Sequence, residues 1–432
     1  AGLRRTAVGH GSGRLLSVLF LHVASANPRL AVAQSPPTPA APSVLHGPIS
    51  GSQANPSADH AVANLLDRVS ETNPLGFELF GYLQQGVTLN PDSPNDRTNG
   101  PMLNNYRSNA YQMVGIYLVA ERKVNPDSSR VQLGGRIDTL YGTDAAFGLS
   151  NGLDAKIVSD DASRFYKLAF PQIYANLFLP IGPGVSCKIG HFFSPVGNEW
   201  LYNTENFFYS QFLSWNIQPG THTGLLAETK LLDSIEVRFG PNLGWNTSQD
   251  SNDSISWLGS LDWKSPDQRS EVYFAIQTGR QREVVTVADS DVTVYSLIIN
   301  QDLGDRWHYQ FEHDLLLSDS RTDTASDDYE SYSIANYLFY RFNDCWRTGL
   351  RFEWLRDDDG TLAGFDPTRP AAPGSFYNLT LGLNWHPREH LRVRPEIRHD
   401  WQVRDSNAIP PAFDDGTSTN QWLFACDMIF EF

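Results

Sequence analysis

Cys345-Trp-Arg-Thr-Gly-Leu-Arg-Phe-Glu-Trp-Leu-Arg-Asp357 sets Trp346, Thr348, Leu350, Phe352 and Trp354 on one side of an extended chain and Arg347, Gly349, Arg351 and Glu353 on the other. Successive side chains of a strand point to opposite faces, so one face of this segment is apolar and the other charged. Ser375–Pro387 repeats the pattern, with Tyr377, Leu379, Leu381, Leu383 and Trp385 against Asn378, Thr380, Gly382 and Asn384. So does the last segment, with Trp422, Phe424, Cys426, Met428, Phe430 and Phe432 against Gln421, Asp427 and Glu431. A soluble barrel needs its apolar residues inside, and an interior of arginine and carboxylate cannot pack dry without a large desolvation cost. Lipid outside and water inside require the observed alternation, which is that of a transmembrane β-barrel.

Working outward from these segments, the period of two holds from Phe77 to Phe432. Sixteen segments begin near Phe77, Tyr111, Val131, Phe165, Val185, Thr221, Ser234, Ser254, Ser270, Val292, Trp307, Asp328, Cys345, Ser375, Leu391 and Gln421. Long and short connections alternate strictly between them. Outer-membrane barrels have short periplasmic turns, longer outer loops and an even strand count, whereas a soluble sandwich or propeller has no reason to obey that parity. Aromatics recur at both ends of the apolar faces, as in Trp346 with Trp354, Tyr377 with Trp385 and Tyr332 with Tyr340. Eight residues of tilted strand rise roughly 20 Å, close to the apolar band between two aromatic girdles. Asn336 and His399 fall on the apolar face in this register, which marks their strands as candidates for misphasing.

Composition excludes several other classes. The 432 residues carry a formal net charge of −16, which argues against nucleic acid, whose phosphates need Lys and Arg to displace counterions. No run reaches the roughly 18 apolar residues of a spanning helix. Cys187, Cys345 and Cys426 fit neither a disulfide framework nor a zinc spacing. At the other end of the chain, Arg4, Arg5 and Arg14 precede the apolar run Leu15–Ala24, and Ala-x-Ala sites follow at Ala24–Ala26 and Ala31–Ala33. That is the pattern of an export signal, expected over residues 1–33. A Pro/Ser/Gly-rich linker with a short helix, Asp59–Thr72, is expected over 34–74, and the barrel domain over 75–432.

Function is sought in the loops and the inward charges. The third long connection, Val196–Gly220, is the longest and carries Trp200, Tyr202, Phe207, Phe208, Tyr209, Phe212 and Trp215. A disordered loop would not hold so many aromatics. Folded into the barrel, it would narrow a sixteen-strand lumen otherwise wide enough for water. Glu199, Glu205 and Asn206 are the candidate constriction residues, and Arg347, Arg351, Arg392, Arg394 and Arg398 the candidate pore lining. Glutamates facing arginines across the lumen would set up a transverse field. Ion pairing of each arginine within the wall is an equally open reading.

The run Phe170-Pro-Gln-Ile-Tyr-Ala-Asn-Leu177, then Ile181–Gly184, Lys188–Phe192, Ser194–Glu199, Asn206–Ser210 and Pro219–Gly224, resembles the OmpL-like putative beta-barrel porin family of bacterial outer membranes. The resemblance implies a porin-type channel over roughly Leu75–Phe432, with Gly190, Gly197, Glu199, Asn206 and Gly224 in structural roles around the loop. Competing motifs are weak. Gly148-Leu-Ser-Asn-Gly152 matches GxSxG but lies in a polar loop, not between strand and helix. Asp357–Gly360 and the aspartates at 319, 323, 327 and 328 lack EF-hand spacing.

The expectation is therefore an all-β, antiparallel transmembrane β-barrel of about sixteen strands, with an inward-folded third loop and a short N-terminal helix. It would sit in the bacterial outer membrane as a passive channel for small hydrophilic solutes or ions, without catalysis or cofactor. Outer-membrane lipid, those solutes and the barrel-insertion machinery, engaged through Phe432, would be its partners, with nucleic acid excluded and homo-trimers left open. The alternatives are an outer-membrane barrel enzyme and a secreted soluble all-β binding or adhesive protein.

Overall fold

The computed structural model describes residues 75–157, 165–250, 252–282, 289–320, 328–360, 373–407 and 410–432. The expected export signal and the Asp59–Thr72 helix lie outside the described residues.

The strands are β1 (Glu78–Leu89), β2 (Ala110–Arg122), β3 (Gln132–Gly142), β4 (Lys167–Ala169), β5 (Ile173–Leu179), β6 (Val185–Phe193), β7 (Thr221–Leu232), β8 (Ile235–Asn242) and β9 (Ser256–Lys264). They continue as β10 (Ser270–Arg282), β11 (Asp289–Leu303), β12 (Trp307–Ser320), β13 (Tyr329–Arg341), β14 (Trp346–Asp357), β15 (Gly374–Arg388), β16 (Leu391–Arg404) and β17 (Asn420–Glu431). Successive strands pair antiparallel, with β3 pairing to both β4 and β5, and β1 pairs with β17, so the sheet closes on itself.

β4 and β5 are two pieces of one strand, because both pair with β3, at its outer and inner ends respectively. The break falls at Phe170-Pro171-Gln172, where proline has no N–H to give the ladder. Gln172 repairs the gap: its carbonyl accepts from Asp138 N at 2.8 Å and its side-chain amide donates to Asp138 Oδ2 at 2.9 Å. The wall therefore has sixteen strand positions, and the strands begin within three residues of the sixteen starts read from the sequence.

The outer face is apolar and open to the surroundings, with Leu350, Leu381 and Trp422 respectively 41%, 53% and 47% exposed. The soluble-barrel alternative fails here, since it requires those side chains inside. Aromatics stack across neighbouring strands at both rims. Trp346 and Trp385 meet at 5.4 Å at the short-turn end, and Tyr377 and Trp401 at 5.2 Å at the long-loop end. Asn336 and His399 do lie on the outer face, and their strands are correctly phased. Asn336 accepts a hydrogen bond from Tyr309 at 2.8 Å, and the His399 ring stacks against Trp422 at 4.3 Å and Trp401 at 5.0 Å. Each polar group is thus shielded from lipid by an aromatic neighbour. Among the described residues no helix is long and apolar enough to cross a membrane.

Candidate functional site

The third loop, 194–220, folds into the barrel and lies on the inner face of β13–β17 and β1. Its entry is pinned by Tyr273, whose hydroxyl donates to Pro195 O at 2.7 Å, and its exit by Gln218, which donates to Glu312 at 3.2 Å. At the entry Gly197 has φ +92, a left-handed conformation, and a Cβ there would meet the Gln218 side chain at 2.1 Å. Gly190 and Gly224 face each other in register at the root of the loop, on β6 and β7.

Between those pins the wall grips the loop backbone with charge. Arg351 is fully buried; its Nη1 donates to Ser210 O and to Glu199 Oε1, both at 2.8 Å. Arg394 Nη1 donates to Asn206 O at 2.8 Å and Phe208 O at 3.0 Å, while its Nε and Nη2 are held by Asp427 at 2.9 and 2.6 Å. Arg398 Nη1 reaches Gln211 O at 2.6 Å, and Arg392 Nη1 reaches Thr204 O at 2.9 Å. Carboxylates hold the amide side. Glu353 accepts from Leu213 N and Ser214 N at 2.7 Å each, and Glu396 from Tyr209 N and Ser210 N at 2.9 and 3.1 Å. Charge-assisted bonds of this kind are roughly twice as strong as neutral ones, and a low-dielectric interior strengthens them further.

Apolar contact completes the grip. Phe207 and Phe208 pack with Phe212 against Ala335, Tyr337 and Phe339 of β13. Three wall glycines serve as sockets: a Cβ on Gly349 would lie 2.6 Å from the Phe207 ring, one on Gly382 2.8 Å from Phe208, and one on Gly86 2.6 Å from the Tyr209 hydroxyl.

This geometry revises the expected pore lining. Arg351, Arg394 and Arg398 are at most 1% exposed, so they bond the loop and do not face lumen water. Glu199 does not oppose Arg351 across a lumen, because the loop has folded onto the arginine wall and the pair is in contact. Asn206 is buried too, and ties the loop to itself by donating to Trp200 O at 2.6 Å while accepting from Trp200 N at 2.8 Å. Glu205 is exposed at the end of the turn Asn203–Glu205, and Arg347 and Arg392 are only partly buried. Ser150 of the GxSxG run is fully buried, its hydroxyl 3.0 Å from that of Ser248. Among the described residues no group of His, Cys, Asp and Glu could hold a metal ion.

The second long loop joins the same network through Asp144, in the short turn Asp144–Phe147 beyond the end of β3. Its Oδ2 accepts from Asn203 and from Asn104, both at 2.8 Å. Burial pushes this carboxyl up to about 7, against the pull of those two amides and the Thr143 hydroxyl; the nearby Asp427 charge also raises it. The folded chain then holds one proton more than the unfolded chain between about pH 4 and pH 7, so stability falls as pH rises through that window. Between pH 5 and pH 7.5 the folded barrel should lose about 2 kcal/mol on this account, and Asp144→Asn should flatten the dependence. Urea unfolding of the refolded chain at the two pH values checks it; an equal slope in the variant would remove Asp144 as the source.

On the opposite wall four inward charges reach water. Arg238 and Glu228 are 23% and 34% exposed, and Arg136 and Glu121 16% each, all in the half of the lumen nearer the short turns. These residues of β2, β3, β7 and β8 were absent from the candidate set. Their signal was present in the same alternation, as Glu236-x-Arg238 and Arg136-x-Asp138 show. Above them a small cavity of about 20 Å³ is lined by Phe147, Phe193, Trp200, Trp215, Gln218 and Thr221, with the Phe147 and Trp215 rings 6.0 Å apart. That is room for a single water.

A family model described as putative beta-barrel porin-2, OmpL-like, matches residues 76–432. No curated protein sequence matches the chain. Among solved structures, the outer membrane channel DcaP of Acinetobacter baumannii is similar at 10% identity and TM-score 0.56, over 83% of this chain and 99% of that one. An anion-selective porin from Comamonas acidovorans is similar at 9% identity and TM-score 0.56, over 82% and 99%. OmpT of Vibrio cholerae in its trimer form is similar at 11% identity and TM-score 0.54, over 82% and 99%. At such identities the likeness is one of fold.

Proposed function

Because the chain belongs to the OmpL-like putative beta-barrel porin family over residues 76–432, we propose that small hydrophilic solutes cross its lumen between the docked third loop and the inner wall of β2–β10. It is an outer-membrane porin, and the reading assigns it passive diffusion and no catalysis. The observation that carries the route is the asymmetry of burial. Arg351, Glu353, Arg394, Glu396 and Arg398 on β14 and β16 are sealed under the loop, whereas Glu121, Arg136, Glu228 and Arg238 on β2, β3, β7 and β8 are wetted. A charged, hydrated wall replaces part of a solute's lost hydration, while the loop sets the width.

On the long-loop side of this route the Phe147 and Trp215 rings, in edge contact with centroids 6.0 Å apart, join the second long loop to the third. The export signal over 1–33, insertion through the Phe432 end and trimeric association belong to the same reading. For the insertion signal, Phe432 pairs with Gly81 in both directions, N to O at 2.9 Å and O to N at 2.8 Å, so the aromatic end is fixed into the closing seam.

Planar-bilayer recording from the refolded chain tests the proposal. Discrete open steps are expected, and Trp215→Ala, which removes the ring joining the third loop to Phe147 of the second, should raise their conductance. Steps unchanged by Trp215→Ala would move the route elsewhere, and a correctly folded barrel that never conducts would remove the channel.

A further inference from the structure

We propose that the half of the lumen nearer the short turns holds a binding site for small carboxylates, built around Lys188. The site lies on the solute route assigned above and rests on that reading. A cavity of about 250 Å³ opens there between β2, β3, β5, β6 and β7, at the level of the Lys123–Pro126 turn. It is smaller than the roughly 300–1,000 Å³ of drug-sized pockets, so its occupant is small.

Around the cavity the inward arginines are taken up by carboxylates, while one inward ammonium is left without an ion-pair partner. Arg136 lies between Asp138 at 2.7 Å and Glu121 at 3.7 Å, Arg238 meets both Glu228, at 2.7 Å, and Glu236, and Lys123 meets Glu78 at 2.9 Å. Lys188 and Arg122 remain, and among the described residues neither has a carboxylate within ion-pair distance. The Lys188 ammonium rests over the Tyr174 ring, 5.4 Å from its centroid, which orients it without neutralising it.

A second observation points the same way. Asn176 stands in register with Lys188 on the neighbouring strand and lines the same cavity, and its Oδ1 is buried with no hydrogen-bond partner. Buried polar atoms are nearly always bonded, so an orphan beside an unpaired ammonium marks a place where a polar guest completes both. The amide can turn over and present N–H, so a carboxylate can take the ammonium on one oxygen and the amide on the other. The Ser186 hydroxyl, two residues from Lys188 on the same inward face, supplies a further donor at the cavity wall. A cation would meet only carboxylates that already have partners, and a neutral sugar would leave the ammonium unpaired.

Equilibrium dialysis of radiolabelled succinate against the detergent-folded full chain, at low ionic strength, reads the site. Saturable binding is expected, at least tenfold weaker in Lys188→Gln and recovered in Lys188→Arg. Arg122→Gln at the mouth should weaken it less, and Lys156→Gln in the second long loop not at all. Heat-modifiable mobility in gels shows that each variant has folded; should Lys188→Gln not fold, Arg122→Gln and Asn176→Leu carry the test. Succinate binding as tight in the folded variants as in the parent, or no preference for succinate over tetramethylammonium and glucose, overturns the proposal. Bilayer recording separates the two readings. Conductance without succinate binding removes the carboxylate site and leaves the channel, whereas binding without conductance removes the channel and leaves the site.

Discussion

Arg351→Ala should release the third loop from its wall and raise single-channel conductance, with the barrel itself intact. The guanidinium meets Glu199, the Ser210 carbonyl and the Phe208 ring, the last at 4.8 Å. Removing it strands Glu199 as a buried carboxylate whose remaining partners are Tyr337 OH and Phe212 N. Breaking one side of a buried pair costs about 3–5 kcal/mol. Because Glu199 can recover water only by leaving the wall, that cost falls on loop docking, which should weaken by about two to three and a half orders of magnitude. The strand ladder of β13–β15 does not pass through the side chain, so heat-modifiability should persist. Limited proteolysis within 196–220 and bilayer conductance read the outcome together. A loop as protease-resistant and a pore as narrow as in the parent would refute the clamp. The pair Arg351→Ala with Glu199→Ala should do less harm than the sum of the two, since neither charge is then left alone.

Gly349→Val combined with Gly382→Val should reach the same end without touching a charge. Both glycines lie on the inner wall under Phe207 and Phe208, and even a single Cβ would stand 2.6 and 2.8 Å from the rings. Overpacking of this kind costs about 1–3 kcal/mol at each site, and the loop is the side that can yield, because the wall is fixed by its ladder. Hydrogen exchange at the Tyr209 and Ser210 amides, which donate to Glu396, should then speed up by about two orders of magnitude. Full protection in the double variant would mean that the rings do not seat in those sockets. If the valines prevent folding, the alanine pair provides the milder version.

Much of the fold was legible because the signals for it are local. Alternation along Trp346–Trp354 states which face meets lipid, and it needs no knowledge of the partner strand. The inward fold of 194–220 was legible from its aromatic content. What the loop touches was not, because that is a long-range fact. Arg351, Arg394 and Arg398 were correctly placed on the inner face, but an inward arginine bonds water or a docked loop according to how residues some 190 positions away fold. The glycine sockets were missed for a related reason: Gly349 and Gly382 read as small inward residues until Phe207 and Phe208 are seen above them. Three consecutive loop aromatics, Phe207-Phe208-Tyr209, were the available hint, since each needs somewhere to sit. The wetted wall is not legible from the density of arginine on β14 and β16, because density of charge is also what a clamp requires.

The seam between β1 and β17 gives the molecule an order of assembly. Gln84 on β1 donates to Asp427 on β17 at 2.6 Å, Asp427 holds Arg394, and Gln84 also accepts from Asn203 of the loop at 2.8 Å. Closure of the barrel and seating of the loop are thus one hydrogen-bonded unit, whose members come from opposite ends of the domain. Until the first and last strands have met in the right register, the loop cannot hold its anchors on β1 (Tyr82, Gln84) and on β16 (Arg392, Arg394) at the same time. A barrel shut two residues out of register would keep a continuous sheet yet separate Gln84 from Asp427, and its loop would hang loose in the lumen. Permeability then becomes a quality mark: a tight pore certifies a correctly closed barrel, and a leaky one betrays a misassembled copy that its strand content alone would pass as native.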